Sequence, residues 1–183
     1  MSYTGRIFIG INLDQKAKQF ISKKVAGINW KNKLNLRFVD PENYHLTLMF
    51  LGVLRGEDIA DICLKLREAL KKTEVFDLEF EEFVKAPSKE NPKMIWLAGK
   101  ESQELTDLKN KIENALIECK TDAKKFSPHI TIARAKKGDL SEEEINQKAR
   151  LLAPVESVEV LESVMEHGKR RYLTLETIPL KEF

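Results

Sequence analysis

Apolar and polar residues alternate along much of the chain with the two-residue period of a β-strand. The alternation predicts eight strands, at 6–13, 34–39, 44–51, 75–84, 94–98, 128–135, 157–165 and 170–178. The last two flank the turn sequence Glu166-His167-Gly168-Lys169, which predicts a closing β-hairpin.

Other segments carry apolar residues at the spacing of a helix that packs one face against a core. This spacing predicts helices at 57–72 and 101–120, and an earlier helix that Asp14 would cap. Ser141 and Glu144 form a capping-box pattern, which predicts a further short helix.

Interleaved strands and helices together with a hairpin are typical of an α+β fold. A strand, a helix and a second strand recur in both halves of the chain. We therefore expect a two-lobed, pseudo-duplicated arrangement of antiparallel-rich sheets with flanking helices. The length of the chain suits one domain spanning 1–183, with two intertwined lobes.

Two of the predicted strands carry the same four-residue pattern, His45-Leu46-Thr47-Leu48 (the first tetrad) and His129-Ile130-Thr131-Ile132 (the second tetrad). The chain has only three histidines, and two of them lie in these tetrads. Residues two apart in a strand share a face, so each tetrad presents an imidazole and a hydroxyl on one face and apolar side chains on the other.

These side chains suit chemistry at a small anion. Imidazole exchanges a proton near neutral pH, and a hydroxyl donates to an anionic oxygen. Phosphoryl transfer without a metal needs a base, an acid and donors for the remaining oxygens. We therefore expect a central groove in which each lobe contributes one tetrad.

Composition narrows the classes of protein to consider. Charged residues make up 33% of the chain but the formal net charge is only +2, so bulk charge does not indicate a nucleic-acid binder. No run of eighteen apolar residues and no signal-peptide pattern occur. Cys63 and Cys119 lack metal-site spacing and are expected to be free thiols. We expect a cytoplasmic protein without metal or cofactor, with His167 as a solvated turn residue.

Together these segments resemble the two-histidine (2H) phosphoesterase superfamily, and within it the RNA 2′,3′-cyclic phosphodiesterases of the LigT/ThpR type, also called 2′-5′ RNA ligases. The resemblance rests on 6–9, 41–52, 94–97, 126–134, Ser163, Gly168 and Tyr172. Two positions depart from the family pattern, Phe38 where many members carry Trp and Met49 where many carry Lys, and we expect both beside the site.

The resemblance implies a role for each site residue. His45 and His129 would be the catalytic acid/base pair, and Thr47 and Thr131 would hold the phosphate oxygens. Arg134 would contact substrate phosphate, with a solvated charge at a strand end as the alternative.

One further aromatic residue follows the first tetrad. Phe50 could line the groove, but we expect it in the core.

The resemblance also implies an activity. It is metal-independent hydrolysis of an RNA-terminal 2′,3′-cyclic phosphate to a 2′-phosphate by a monomer, with tRNA fragments among the candidate RNAs. The reverse reaction would form a 2′-5′ bond. Alternatives are cleavage of 2′-5′ oligoadenylates and non-catalytic binding of RNA ends, while a metal-binding protein would need more ligands. The sequence leaves open which histidine is the base and whether the two converge.

Overall fold

The computed structural model describes residues 4–31, 33–88, 90–119, 126–141, 143–145 and 147–182. Within these residues the strands are β1 (Thr4–Asn12), β2 (Leu36–Phe38), β3 (His45–Arg55), β4 (Phe76–Ala86), β5 (Met94–Gly99), β6 (His129–Ala135), β7 (Lys148–Val155), β8 (Ser157–Glu166) and β9 (Lys169–Pro179). The helices are α1 (Gln15–Ala26), α2 (Gly56–Leu70) and α3 (Gln103–Ala115), with short 3₁₀ turns at Lys33–Asn35 and Pro41–Asn43.

The strands form one continuous sheet in the order β7-β4-β5-β6-β3-β1-β8-β9, and β2 adds to β6 beside this path. Every pair of neighbouring strands in the sheet is antiparallel. The expected antiparallel-rich α+β fold is therefore confirmed.

The two strands that carry the tetrads are neighbours at the centre of the sheet. β3 and β6 are joined through the single pair Leu46–Ile130, because β2 occupies the rest of that edge of β6. Three more strands follow on each side of this joint. In both halves the tetrad strand pairs with the strand that precedes the helix, in β1-α1-β3 and in β5-α3-β6.

The apolar members of both tetrads lie in the core with the helices. Leu46 and Ile130 are completely buried, and the buried stripes of the helices belong to the same core, among them Ile21, Ile62, Leu66, Leu105, Leu108 and Ile112. Burying one such side chain stabilises the fold by roughly 1.5–3 kcal/mol. None of the three helices in the described ranges is long and apolar enough to span a bilayer.

The prediction of a short helix after Ser141 is wrong. The backbone N–H and the hydroxyl of Ser141 both donate to Asp139 Oδ1, and these bonds close a turn instead of capping a helix. The described residues that follow are not helical, while 142 and 146 lie outside the described residues. The chain then forms β7, a strand that the sequence did not predict and that pairs with β4.

Several element ends also differ from the predictions, three of them as follows. β3 continues past Gly52, which adopts a φ of +80° that glycine tolerates, and ends at Arg55. β2 begins only at Leu36, since Leu34 lies in a 3₁₀ turn and is 88% exposed. α3 ends at Ala115, before the predicted end at 120, a residue outside the described ones.

Candidate active site

The pairing of Leu46 with Ile130 brings the two tetrads side by side. In this antiparallel register His45 lies beside Thr131, and Thr47 lies beside His129. All four polar side chains are half-buried on the face opposite the core. The Cβ atoms of the two histidines are diagonal neighbours, roughly 7–8 Å apart. The structure therefore brings the predicted acid/base pair and both hydroxyls together.

Backbone carbonyls orient both imidazole rings in the same way. His45 Nδ1 lies 2.7 Å from the carbonyl oxygen of Asn43, and His129 Nδ1 lies 2.7 Å from that of Ser127. A carbonyl only accepts, so Nδ1 carries the hydrogen and Nε2 of the neutral ring is left as the basic nitrogen. Thr47 Oγ1 donates to His45 Nε2 across 3.0 Å.

The two rings differ in how strongly they resist protonation. Burial lowers the pKa of His45 to about 4, opposed by the Asn43 carbonyl and reinforced by the nearby His129 and Arg134. Burial also lowers the pKa of His129 from its usual value, opposed by the Ser127 carbonyl and reinforced by the charge of Arg134. Both imidazoles are therefore neutral in the free protein at pH 7.

Aromatic neighbours distinguish the two histidines further. His129 stacks flat on Trp96, with ring centroids 3.7 Å apart and planes at 17°. The ring centroid of His45 instead lies 5.1 Å from that of Phe8 and 4.7 Å from that of Tyr172, whose plane is nearly perpendicular to the imidazole. A flat indole face attracts a cation, so the Trp96 stack favours the protonated form of His129.

A β-bulge follows the second tetrad and sets the direction of Arg134. The β5–β6 register shifts between Ile95 and Trp96, so Ile132 and Ala133 are both buried. Simple alternation would place Arg134 on the face opposite to His129. After the bulge Arg134 is exposed on the same face as the histidine, with Nη1 against Met94 Sδ.

An equivalent bulge follows the first tetrad. Leu48 and Met49 are both buried where the β1–β3 register shifts, and Phe50 beyond them is 70% exposed. The expectation that Phe50 lies in the core is therefore wrong, because the bulge turns it outward. Its ring lies 6.0 Å from that of Phe8, which contacts His45.

The bulges make Phe50 and Arg134 equivalent positions. Each follows its tetrad histidine by five residues and lies exposed beyond a bulge. Because β3 and β6 are antiparallel, the two residues lie toward opposite ends of the tetrad pair, where the sequence predicts the groove. One end is thus aromatic and the other cationic.

The two departures from the family pattern lie in different surroundings. Met49 is only 6% exposed, so it lies in the core and not beside the site as expected. Phe38 is half-buried and packs edge-on against Trp30, with ring centroids 5.4 Å apart.

Several groups around the tetrads were not assigned a role from the sequence. Trp96 and Tyr172 lie in segments that carried the resemblance to the family, and nothing else in the sequence indicated that they lie beside the histidines. The Asn43 and Ser127 carbonyls are backbone groups, which no residue type reveals. Within the described part of the chain, no group of three His, Cys, Asp or Glu residues could hold a metal ion.

Comparison with known proteins identifies the family. Residues 30–164 match the model of the 2′-5′ RNA ligase superfamily. An Archaeoglobus fulgidus RNA 2′,3′-cyclic phosphodiesterase is 30% identical over 137 residues, which is 72% of this chain and 73% of the relative. The protein of that name from Aquifex aeolicus is 26% identical, covering 83% of this chain and 86% of the relative.

Solved structures show the same fold. TT0787 of Thermus thermophilus superimposes with a TM-score of 0.81 at 20% identity, over 96% of this chain and 97% of that one. E. coli LigT complexed with NADP+ superimposes with a TM-score of 0.79 at 21% identity, over 97% and 99%. The match to the family model and the 30% identical relative confirm the resemblance, and the chain belongs to the 2′-5′ RNA ligase superfamily.

Proposed function

We propose that this protein hydrolyses the 2′,3′-cyclic phosphate at the end of an RNA and leaves a 2′-phosphate. The pairing of Leu46 with Ile130 carries the proposal, because it places two imidazoles and two hydroxyls on one face. The relatives named RNA 2′,3′-cyclic phosphodiesterase support the same reaction.

His45 is the general base in this scheme. Its pKa of about 4 keeps Nε2 unprotonated at neutral pH. When phosphate binds, the Thr47 hydroxyl turns from Nε2 to a phosphate oxygen and frees the nitrogen for water. Nε2 then takes a proton from that water as its oxygen attacks phosphorus.

His129 is the general acid. The bound phosphate and the Trp96 ring both favour its imidazolium form. As the bond between phosphorus and the ribose 3′ oxygen breaks, His129 Nε2 donates its proton to that oxygen. Thr131, like Thr47, donates to a non-bridging phosphate oxygen and offsets its charge.

The two ends of the tetrad pair suit the rest of the substrate. Phe50, exposed beside Phe8, is a surface on which a base can stack, and Arg134 supplies a cation for phosphate. If the 5′-hydroxyl of a second RNA replaces water as the nucleophile and the 3′ oxygen leaves as before, the same residues catalyse 2′-5′ ligation. We propose that the protein acts as a cytoplasmic monomer of one domain and that it catalyses the hydrolysis without a metal ion.

The test is turnover of an oligoribonucleotide that ends in a 2′,3′-cyclic phosphate, with EDTA present. We expect His45→Ala and His129→Ala each to lower kcat by at least 100-fold, the lower range of general acid–base catalysis. His167→Asn is the matched control, since it removes a histidine from an exposed turn where φ is +49° and Asn is tolerated.

Each alternative predicts a different result. Activity that EDTA abolishes and zinc restores would contradict the metal-free reaction. Cleavage of 2′-5′ oligoadenylate with no turnover of the cyclic phosphate would move the assignment to that substrate. Binding without turnover of either substrate would indicate a non-catalytic RNA-end binder.

A further inference from the structure

Three arginines from different strands lie at the cationic end of the tetrad pair. Arg37 of β2 lies directly opposite Arg134 of β6 in the register of those strands. Partial burial lowers the pKa of Arg134, and Tyr172 opposes this effect. The charges of Arg37 and of Arg170 on β9 lower the pKa further, so both lie close to Arg134. All three side chains are exposed.

Their charges are not balanced by the protein. Directly opposed like charges destabilise a strand pair. In the described ranges none of the three arginines forms an ion pair: Arg134 contacts Met94 Sδ, and Arg170 donates to Ser163 Oγ across 2.7 Å. We call these three residues, Arg37, Arg134 and Arg170, the arginine cluster.

The acidic residues that follow Arg37 in the sequence, Asp40 and Glu42, have other partners. Asp40 Oδ1 accepts from the backbone N–H of Glu42, and the Glu42 carboxylate pairs with Lys18 at 3.6 Å. The cluster therefore presents to the solvent positive charge that no ion pair in the described residues balances.

The cluster is adjacent to the reacting histidines. The Asn43 side chain donates to the Arg170 carbonyl across 2.8 Å, and the Asn43 carbonyl accepts from His45. Along β6, Arg134 lies roughly 7 Å beyond Thr131, since the bulge shortens three residues to two strand steps. That distance is comparable to the spacing of successive phosphates in an extended RNA strand.

We propose that Arg37, Arg134 and Arg170 bind the phosphodiester that precedes the terminal nucleotide of the RNA. The proposal rests on the proposed function and specifies its substrate, a polyribonucleotide in preference to a mononucleotide. A guanidinium binds phosphate oxygens through two parallel hydrogen bonds, and an anion between Arg37 and Arg134 also removes their repulsion.

The experiment compares cytidine 2′,3′-cyclic phosphate with a trinucleotide that ends in the same group. We expect wild type to have a kcat/KM at least tenfold higher on the trinucleotide. Arg37→Gln and Arg170→Gln should each reduce this preference about tenfold through KM, the size of one charge-assisted hydrogen bond. Arg67→Gln is the control, because Arg67 is exposed on α2 and pairs with Glu176.

The outcomes separate the two proposals. Equal kcat/KM for both substrates in wild type would overturn the phosphodiester site and leave the hydrolysis intact. Equal losses on both substrates in the arginine variants would do the same.

Turnover of neither substrate would refute the proposed hydrolysis, and binding would then test the site. We expect the affinity of wild type for a fluorescein-labelled pentaribonucleotide to fall with salt, and Arg37→Gln to reduce the slope of log K against log salt by about 1. An unchanged slope would overturn the site.

Discussion

Burial of His45 should make the protein lose stability as the pH falls. In the unfolded chain a histidine has a pKa of about 6.5, whereas burial lowers the pKa of His45 to about 4. The unfolded state therefore binds the proton more tightly. The stability that depends on neutral His45 is complete above pH 6.5 and is lost as the pH falls toward 4.

The size of the effect follows from the difference between the two pKa values. Fully expressed it is about 3 kcal/mol, and between pH 7.5 and pH 5 it is about 2 kcal/mol. We expect the free energy of unfolding of wild type to fall by about 2 kcal/mol more over this interval than that of His45→Asn. The variant also loses contacts with Phe8 and Tyr172, but that loss is the same at every pH.

Urea unfolding at half-unit intervals from pH 5 to 7.5 measures this difference directly. Groups common to both proteins, such as Glu159, whose pKa is raised by burial, cancel in the comparison. His167→Asn again controls for the loss of a histidine from an exposed turn. Parallel curves for wild type and His45→Asn would refute the reasoning, because they would mean that burial does not lower the pKa of His45 below that of the unfolded chain.

Two further substitutions test how the site is held. Trp96→Leu removes the flat ring that stacks on His129, so we expect the basic limb of the profile of kcat/KM against pH to move to lower pH. Activity at pH 7.5 should then fall by about two- to fivefold. Trp96→Phe should restore part of the lost activity. An identical profile in Trp96→Leu would contradict a positioning role for Trp96. Gly10→Ala would place a Cβ 2.9 Å from the Leu46 carbonyl oxygen and 3.6 Å from His45 Cδ2, so we expect a loss of about 1–3 kcal/mol in thermal unfolding and a lower kcat. Gly27→Ala, whose Cβ would make only ordinary contacts, is the control, and equal melting temperatures for both variants would argue against the close approach at Gly10.

The sequence alone predicted the features that depend on local periodicity. A strand repeats every two residues, so the spacing of His45 from Thr47 and of His129 from Thr131 determines that each pair shares a face. The same alternation and the helical stripes predicted the antiparallel-rich α+β fold, because they depend only on burying one face of each element.

Where alternation is interrupted, the sequence misled. Phe50 was expected in the core, and the face that Arg134 occupies contradicts simple alternation. Both lie beyond bulges, which arise from the register with β1 and β5. β7 was not predicted from the sequence. Its neighbour in the sheet is β4, about 70 residues earlier in the chain, and local alternation does not reveal such a distant pairing.

Only the tertiary structure decided that the tetrads meet. They lie 84 residues apart in the sequence, and the pairing of Leu46 with Ile130 depends on hydrogen bonds and burial between distant strands. The proton position on each imidazole is likewise set by the carbonyls of Asn43 and Ser127, groups that every residue possesses. Residue types thus determined which chemistry the chain can perform, while non-local pairing determined where those groups converge and how they differ.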